Sequence, residues 1–116
     1  MIFGTGIDII EVERIAQAIE RWGEHFLNHV FTEEEIAYAQ RHRYPSQHFA
    51  GRFAAKEAVL KAFGKNAHIH WKDISIANDE DGKPVCRYSG KNFTKKILIS
   101  ISHTSNYAVA NAIITS

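Results

Sequence analysis

Hydrophobic residues recur at helical spacing in two early segments of the chain and again in a long central one. The first segment runs from Glu11 to Trp22 and predicts an amphipathic helix that ends before Gly23. In the second, Thr32 begins a capping-box pattern, which predicts a short helix that extends to about Arg43. The apolar stretch from Phe26 to Phe31 is interpreted as the anchor of a linker between these two helices.

The central segment, from Ser46 to Gly64, predicts a helix that is apolar around almost its whole circumference. Pro45 is unsuited to a helix interior, Ser46 is a suitable N-cap, and Gly64 favours the C-terminal end. Its apolar residues form one bulky and one small arc, namely Phe49, Phe53, Leu60 and Phe63, and Ala50, Ala54, Ala55, Ala58 and Ala62. Because such a helix is buried, its charged residues need partners. These residues are Arg52, Lys56, Glu57 and Lys61.

Apolar residues that alternate with other residues predict strands at the start of the chain and in its second half. The predicted extended segments are Ile2 to Ile10, Ile69 to Asn78, Val85 to Tyr88, Ile97 to Ser102 and Tyr107 to Thr115. The first is interpreted as a buried strand, and the last two as a hairpin. Ala108, Ala110 and Ala112 share one face of the last strand, which suggests tight sheet packing, for example between protomers.

Length and charge narrow the class of protein. A chain of 116 residues predicts one domain that spans residues 1–116. Its net charge of +1 favours neither nucleic acid nor a membrane surface as a partner. No apolar run approaches the roughly 18 residues of a membrane-spanning helix. Cys86 is the only cysteine, which excludes an intrachain disulfide, so we expect a cytoplasmic protein.

Two of the apolar segments contain charged residues that suggest a chemical site. Asp8 lies among isoleucines, where a carboxylate must be paired, metal-bound or protonated unless it caps a helix or faces solvent from an edge strand. Glu57 and Lys61 are four residues apart, a spacing that suits one metal ligand and one phosphate ligand. The alternative is a solvated pair that stabilises the helix by roughly 0.2–0.5 kcal/mol.

Two further groups of polar residues are candidate binding sites. Arg14, Gln17 and Arg21 form a row on the first predicted helix, which either docks an acidic helix of a partner or is a solvated face. His103 and Thr104 follow a predicted strand, where they either bind phosphate or belong to an ordinary turn.

Three separated segments match one family: GIDIIEVERI from Gly6 to Ile15, FAGRFAAKEAVLKAFG from Phe49 to Gly64, and ISHTSNYAVA from Ile101 to Ala110. Together with FTEEEIAYA, WKDISIANDEDGKP and SGK, they closely resemble the holo-acyl-carrier-protein synthases, the small bacterial type of 4′-phosphopantetheinyl transferase. The resemblance covers nearly the whole chain in order. It implies an α+β fold, with helices packed on a mainly antiparallel sheet, and a homotrimer with active sites between adjacent subunits.

The resemblance also implies a reaction. The 4′-phosphopantetheine group of coenzyme A is transferred to a serine of apo acyl carrier protein, which supports fatty acid biosynthesis and leaves adenosine 3′,5′-bisphosphate. Asp8 and Glu57 are the expected ligands of Mg²⁺, and Lys61 is expected to contact the pyrophosphate. Either Glu57 or a magnesium-bound water could remove the serine proton.

The remaining site residues follow from the same resemblance. Arg52, His103 and Thr104 are expected to bind the nucleotide phosphates, and Gly64 to contact coenzyme A through its backbone. Arg14 and Arg21 are expected to bind an acidic helix of the carrier protein.

Two other functions compete with this interpretation. A magnesium-dependent hydrolase of nucleotide pyrophosphates could use Asp8, Glu57 and Lys61 with water as the acceptor. A non-catalytic module could bind acidic proteins through the first helix, with the central charges serving only the fold.

Overall fold

The computed structural model describes residues 1–116 and confirms the predicted α+β class. The first half of the chain contains β1 (Ile2–Glu11), α1 (Val12–Trp22), α2 (Glu24–Val30), α3 (Glu33–Gln40) and α4 (Pro45–Phe63). The second half contains a 3₁₀-helix (Trp71–Asp73), β2 (Ile74–Asn78), β3 (Pro84–Tyr88), β4 (Lys96–His103) and β5 (Tyr107–Thr115). None of the helices combines the length and the hydrophobicity that crossing a bilayer requires.

The strands form two antiparallel sheets. One has the order β1, β5, β4, and the other is the β2–β3 hairpin. Helix α4 lies across one face of the three-stranded sheet, which we call the inner face. Gly4 and Gly6 of β1 are so close to α4 that a Cβ on either would collide with a helix carbonyl oxygen, that of Ala62 or Ala58. These glycines therefore allow strand and helix backbones to touch.

The alanines of β5 also face α4. Ala108, Ala110 and Ala112 are buried on the inner face within the chain itself. The suggestion that they pack between protomers is therefore wrong, because period-two alternation identifies a face but not the element that covers it.

The opposite, outer face of the three-stranded sheet is open. Ile7 and Ile9 of β1 are each 66% exposed there, and Leu98 and Tyr107 are also exposed. The interpretation of the first strand as buried is thus correct for one face only.

A buried ion pair joins α4 to α3. Lys56 Nζ lies 2.6 Å from Glu35 Oε1 and donates a second hydrogen bond, of 2.8 Å, to the Val30 carbonyl oxygen. Glu35 also accepts hydrogen bonds from the backbone amides of Thr32, at 2.8 Å, and Ile76, at 2.7 Å. Both charged side chains are completely buried, so one polar cluster connects α2, α3, α4 and β2.

Several predicted boundaries change. The stretch Phe26 to Phe31 lies mainly in helix α2 rather than in a linker, because Leu27 and Val30 pack into the core. Helix α4 begins at Pro45 rather than after a Ser46 cap, since proline at the first helical position loses no hydrogen bond.

Two other segments differ from their predictions. Helix α3 ends at Gln40 instead of Arg43, although its capping box at Thr32 is present. Ile69 lies outside any strand, and Trp71 opens the 3₁₀-helix before β2 begins.

The buried pair predicts a large loss of stability when its negative charge is removed. Glu35→Gln leaves the Lys56 ammonium without a counter-charge, so we expect the free energy of unfolding to fall by about 3–5 kcal/mol. Urea denaturation followed by circular dichroism measures this change.

Glu34→Gln is the matched control for this substitution. Glu34 contacts Arg87 at 3.7 Å, and both side chains are largely exposed. Its loss should cost less than about 1 kcal/mol. Equal effects of the two substitutions would show that the Glu35–Lys56 pair has no special role in stability.

Candidate active site

Asp8 and Lys61 meet where β1 crosses α4. Asp8 points to the inner face of the sheet, and its Oδ1 accepts a hydrogen bond of 3.1 Å from Lys61 Nζ. Lys61 Nζ also donates a bond of 3.0 Å to the Ile7 carbonyl oxygen. The Asp8 side chain is 14% exposed and that of Lys61 is 53% exposed, so this ion pair lies at the mouth of the junction.

Glu57 lies one turn before Lys61 and is half-buried. Burial, followed by the negative charge of Asp8, raises the pKa of Glu57 above its ordinary value, and Lys61 partly opposes this effect. No Glu57–Lys61 ion pair forms, since Lys61 binds Asp8 instead. The sequence alternative of a solvated Glu57–Lys61 pair is therefore wrong, and the junction contains two carboxylates that repel each other.

These two carboxylates suit Mg²⁺ better than a metal that needs a complete set of protein ligands. The chain contains no cluster of three or more histidine, cysteine, aspartate or glutamate side chains that could hold a metal. Mg²⁺ often uses one or two carboxylates and takes its other ligands from phosphate and water. Asp8 and Glu57 fit this donor set.

A second group of polar residues surrounds Arg52, near the N-terminal half of α4. Arg52 is buried, and its Nη2 donates a hydrogen bond of 2.9 Å to Asn78 Oδ1. Its guanidinium lies 4.0 Å from the centre of the Tyr38 ring, while its Nε has no partner. Burial lowers the pKa of Arg52 from its ordinary value, and Tyr38 and Glu35 oppose that shift.

His103 and His48 lie beside Arg52. Together with Tyr38, Arg52 and Asn78, they line a cavity of about 150 Å³. Thr104 follows His103, and its hydroxyl oxygen accepts hydrogen bonds from the backbone amides of Asn106 and Tyr107, each at 3.1 Å. The hydroxyl hydrogen of Thr104 is not used in these two bonds, so it is able to donate to a ligand.

The predicted residues thus fall into two groups along α4. Asp8, Glu57 and Lys61 form one, and Arg52 and His103 form the other. Arg52 and Lys61 are nine residues apart, which corresponds to roughly 13–14 Å of helix. Gly64 is the exposed C-cap of the same helix, with a positive φ of 93°.

Sequence reasoning missed three residues around Arg52. The sequence predicts only the end of a strand at Asn78 and a helix around Tyr38, and it indicates no role for His48. Helical spacing alone places His48 one turn before Arg52 on α4, whereas Tyr38 and Asn78 reach Arg52 from α3 and β2 and have no local signal in the sequence. Only the need of a buried arginine for partners pointed to such residues.

Arg14 and Arg21 lie on the exposed side of α1. Neither forms an ion pair within the chain, and the Arg21 guanidinium lies 5.2 Å from the centre of the Trp22 ring. Trp22 is itself exposed, so the C-terminal end of α1 presents positive charge next to an aromatic surface.

Comparison with known proteins agrees with this architecture. A family model for the 4′-phosphopantetheinyl transferase superfamily matches residues 4–112. A holo-acyl-carrier-protein synthase from Thermodesulfovibrio yellowstonii is 52% identical over 115 residues, which cover 99% of this chain and 100% of the relative.

Solved structures agree as well. A synthase from Bacillus anthracis, crystallised in complex with CoA (3′,5′-ADP), is 37% identical with a TM-score of 0.87, covering 100% of this chain and 98% of that one. A Helicobacter pylori synthase in complex with coenzyme A is 28% identical with a TM-score of 0.86, covering 96% and 99%. With sequence and fold alike over their full length, the chain belongs to the 4′-phosphopantetheinyl transferase superfamily, among the holo-acyl-carrier-protein synthases.

Proposed function

We propose that this chain transfers the 4′-phosphopantetheine group of coenzyme A to a serine of apo acyl carrier protein. The observation that carries the proposal is the junction of β1 and α4, where Asp8 and Glu57 repel each other and Lys61 lies within hydrogen-bond distance of Asp8. Two carboxylates for a cation and one ammonium for a phosphate are what a pyrophosphate substrate requires.

The proposed reaction is a substitution at the β-phosphorus of coenzyme A. The serine oxygen of the carrier forms a new bond to this phosphorus, and the bond from phosphorus to the bridging oxygen breaks. Adenosine 3′,5′-bisphosphate leaves with the electron pair of that bond, while the serine proton passes to a base. The site must therefore orient the alcohol, remove its proton and neutralise charge on both phosphates.

Asp8 and Glu57 are the residues that we expect to hold Mg²⁺. When bound, Mg²⁺ neutralises negative charge on the pyrophosphate and so favours departure of the nucleotide. Glu57 is also a candidate for the base, since burial and the charge of Asp8 raise its pKa. Lys61 would exchange its bond to Asp8 for one to the pyrophosphate, because its side chain is long and half-exposed.

The group around Arg52 is proposed to bind the nucleotide end of coenzyme A. Arg52 has an unpartnered Nε, and His103 lines the same cavity, so both could donate to the 3′-phosphate. The Thr104 hydroxyl and the Gly64 backbone would contact other parts of coenzyme A. The separation of Arg52 from Lys61 along α4 is consistent with one extended ligand that contacts both groups.

The carrier protein is proposed to dock on α1. Arg14 and Arg21 are exposed and have no acidic partner within the chain, so they could bind an acidic helix. We further propose that the natural acceptor is the carrier of fatty acid biosynthesis.

We infer that the chain forms a homotrimer through the outer face of its three-stranded sheet. Exposed apolar side chains occupy this face, including Ile7, Ile9 and Leu98. A depression of about 510 Å³ is lined by both Ile7 and Lys61, so a neighbouring subunit on this face would border the proposed active site.

A solution mass equal to one chain, measured by light scattering, would contradict this assembly.

Transfer is tested by the intact mass of apo acyl carrier protein after incubation with this chain, coenzyme A and Mg²⁺. We expect the carrier to gain one 4′-phosphopantetheine group, and to gain none when EDTA is present. A carrier from fatty acid synthesis should be modified faster than one from peptide synthesis. Cleavage of coenzyme A without carrier modification would favour the hydrolase, and neither change would favour the non-catalytic binding module.

Removing either carboxylate should abolish most of the activity without unfolding the chain. We expect Asp8→Asn and Glu57→Gln each to lower kcat by about 10²–10³-fold, the usual effect of losing one preorganised electrostatic contact. Steady-state transfer rates measure this loss, and circular dichroism checks the fold. Glu13→Gln is the control, since Glu13 is exposed on α1. A near-normal rate for Asp8→Asn or Glu57→Gln would remove that residue from the proposed magnesium site.

The carrier surface is tested by Arg14→Ala. We expect KM for the carrier to rise about five- to tenfold, with kcat and KM for coenzyme A little changed, because only docking loses a charge contact. The defect should diminish at high salt, which screens exposed charges. Lys72→Ala removes an exposed charge outside α1 and serves as the control. An unchanged carrier KM in Arg14→Ala would contradict the docking assignment.

A further inference from the structure

Three histidines cluster beside Arg52. The rings of His42 and His48 are stacked, with centroids 3.7 Å apart and an interplanar angle of 27°. A third ring, that of His103, lies at a steep angle to the His48 ring, with centroids 5.2 Å apart and an interplanar angle of 71°. His42 Nδ1 is 2.7 Å from the Tyr38 carbonyl oxygen, and this bond requires Nδ1 of His42 to carry the hydrogen. His48 is thus the middle member of the cluster.

Positive or neutral groups surround His48 on each element that packs against it. Tyr38 lies on α3, His42 follows α3, Arg52 lies on α4, and His103 ends β4. Burial, and then His42, His103 and Arg52, lower the pKa of His48 to about 4. In the free chain at neutral pH, His48 is therefore neutral.

No carboxylate lines the cavity that His48 shares with Arg52 and His103. Three acidic residues, Glu34 of α3 and Asp79 and Glu80 of the β2–β3 turn, line an adjoining cavity instead. Two hydrogen bonds also occupy Asp79 Oδ1, from the backbone amides of Asp81 and Lys83. Glu35 offsets part of the Arg52 charge from outside this cavity, but a charged His48 would face no anionic side chain within the cavity, so a bound anion would have to compensate it.

We propose that His48 is an additional ligand of the 3′-phosphate of the nucleotide and that it binds this group in its protonated form. Nucleotide binding then takes up a proton from solvent. This inference rests on the proposed function, since it assigns the 3′-phosphate to the cavity of Arg52 and His103. His42 acts behind His48 as a positioning residue, because its stacked ring restricts the orientation of the His48 imidazole.

The electrostatics give the direction of the effect. A phosphate monoester carries a charge of about −1.5 to −2 at neutral pH. Placed in this cavity, it would offset the repulsion that Arg52, His42 and His103 exert on a charged His48. The pKa of His48 therefore rises on binding, and affinity increases as pH falls while the phosphate remains largely a dianion.

Isothermal titration of the chain with adenosine 3′,5′-bisphosphate, in buffers of different ionisation enthalpy, measures the coupled proton directly. We expect affinity to increase about three- to tenfold from about pH 8 to about pH 6.5, since one coupled proton changes affinity at most tenfold per pH unit. His48→Phe keeps an aromatic ring beside His42 but accepts no proton. It should lose the proton uptake and most of this pH dependence.

His29→Gln is the control, because it removes an exposed histidine of α2 and should leave proton uptake unchanged. A second ligand, 3′-dephospho-coenzyme A, should bind with less proton uptake than coenzyme A. If carrier modification continued but His48→Phe took up as many protons as the unsubstituted chain, the role of His48 would be overturned. Equal uptake with the two coenzyme A forms would also overturn it. Failure of the unsubstituted chain to bind the bisphosphate would overturn this inference, and only the absence of carrier modification would overturn the proposed function as well.

Discussion

The position of α4 depends on the ammonium group of Lys56, which is completely buried. Burial lowers the pKa of Lys56, and the charge and hydrogen bond of Glu35 oppose that shift. Because a buried charge without a partner is strongly destabilising, α4 is stable in this place only when α3 presents Glu35 to it. The Val30 carbonyl oxygen accepts a second bond from Lys56, and the Ile76 amide binds Glu35, so α2 and α3 contact Lys56 directly and β2 acts on it through Glu35. Because Arg52 and Glu57 belong to the same helix as Lys56, the buried pair also fixes where their side chains lie.

The C-terminal half of α4 is positioned by direct backbone contact with β1, which glycines in the strand allow. Gly4 and Gly6 let β1 approach the helix backbone, and Asp8 follows them on the same face of the strand. Charge pairing near the middle of the helix and backbone contact near its end therefore have separate effects. The first fixes the helix against α3 and β2, and the second brings a carboxylate of β1 to Lys61.

Much of this fold was predictable because its signals are local. Period-two alternation located β5 from Tyr107 to Thr115, and the capping box located the start of α3 at Thr32. The Lys56–Glu35 pair was not predictable, since its members are 21 residues apart and Glu35 belongs to an acidic run that suits any helix N-terminus. The roles of Asp8, Glu57 and Lys61 were expected from family resemblance, whereas the contact of Lys61 with the Ile7 carbonyl oxygen required coordinates.

The bond between Lys61 and Asp8 also affects how the junction of β1 and α4 folds. Lys61 supplies a positive charge to Asp8 from within the same polypeptide, so the junction of β1 and α4 has an internal counter-ion before any ligand arrives. Lys61 thereby offsets part of the repulsion between Asp8 and Glu57, which in a site without an internal cation would remain until a metal bound. The native arrangement of this junction therefore depends less on a bound cation than two unscreened carboxylates would require.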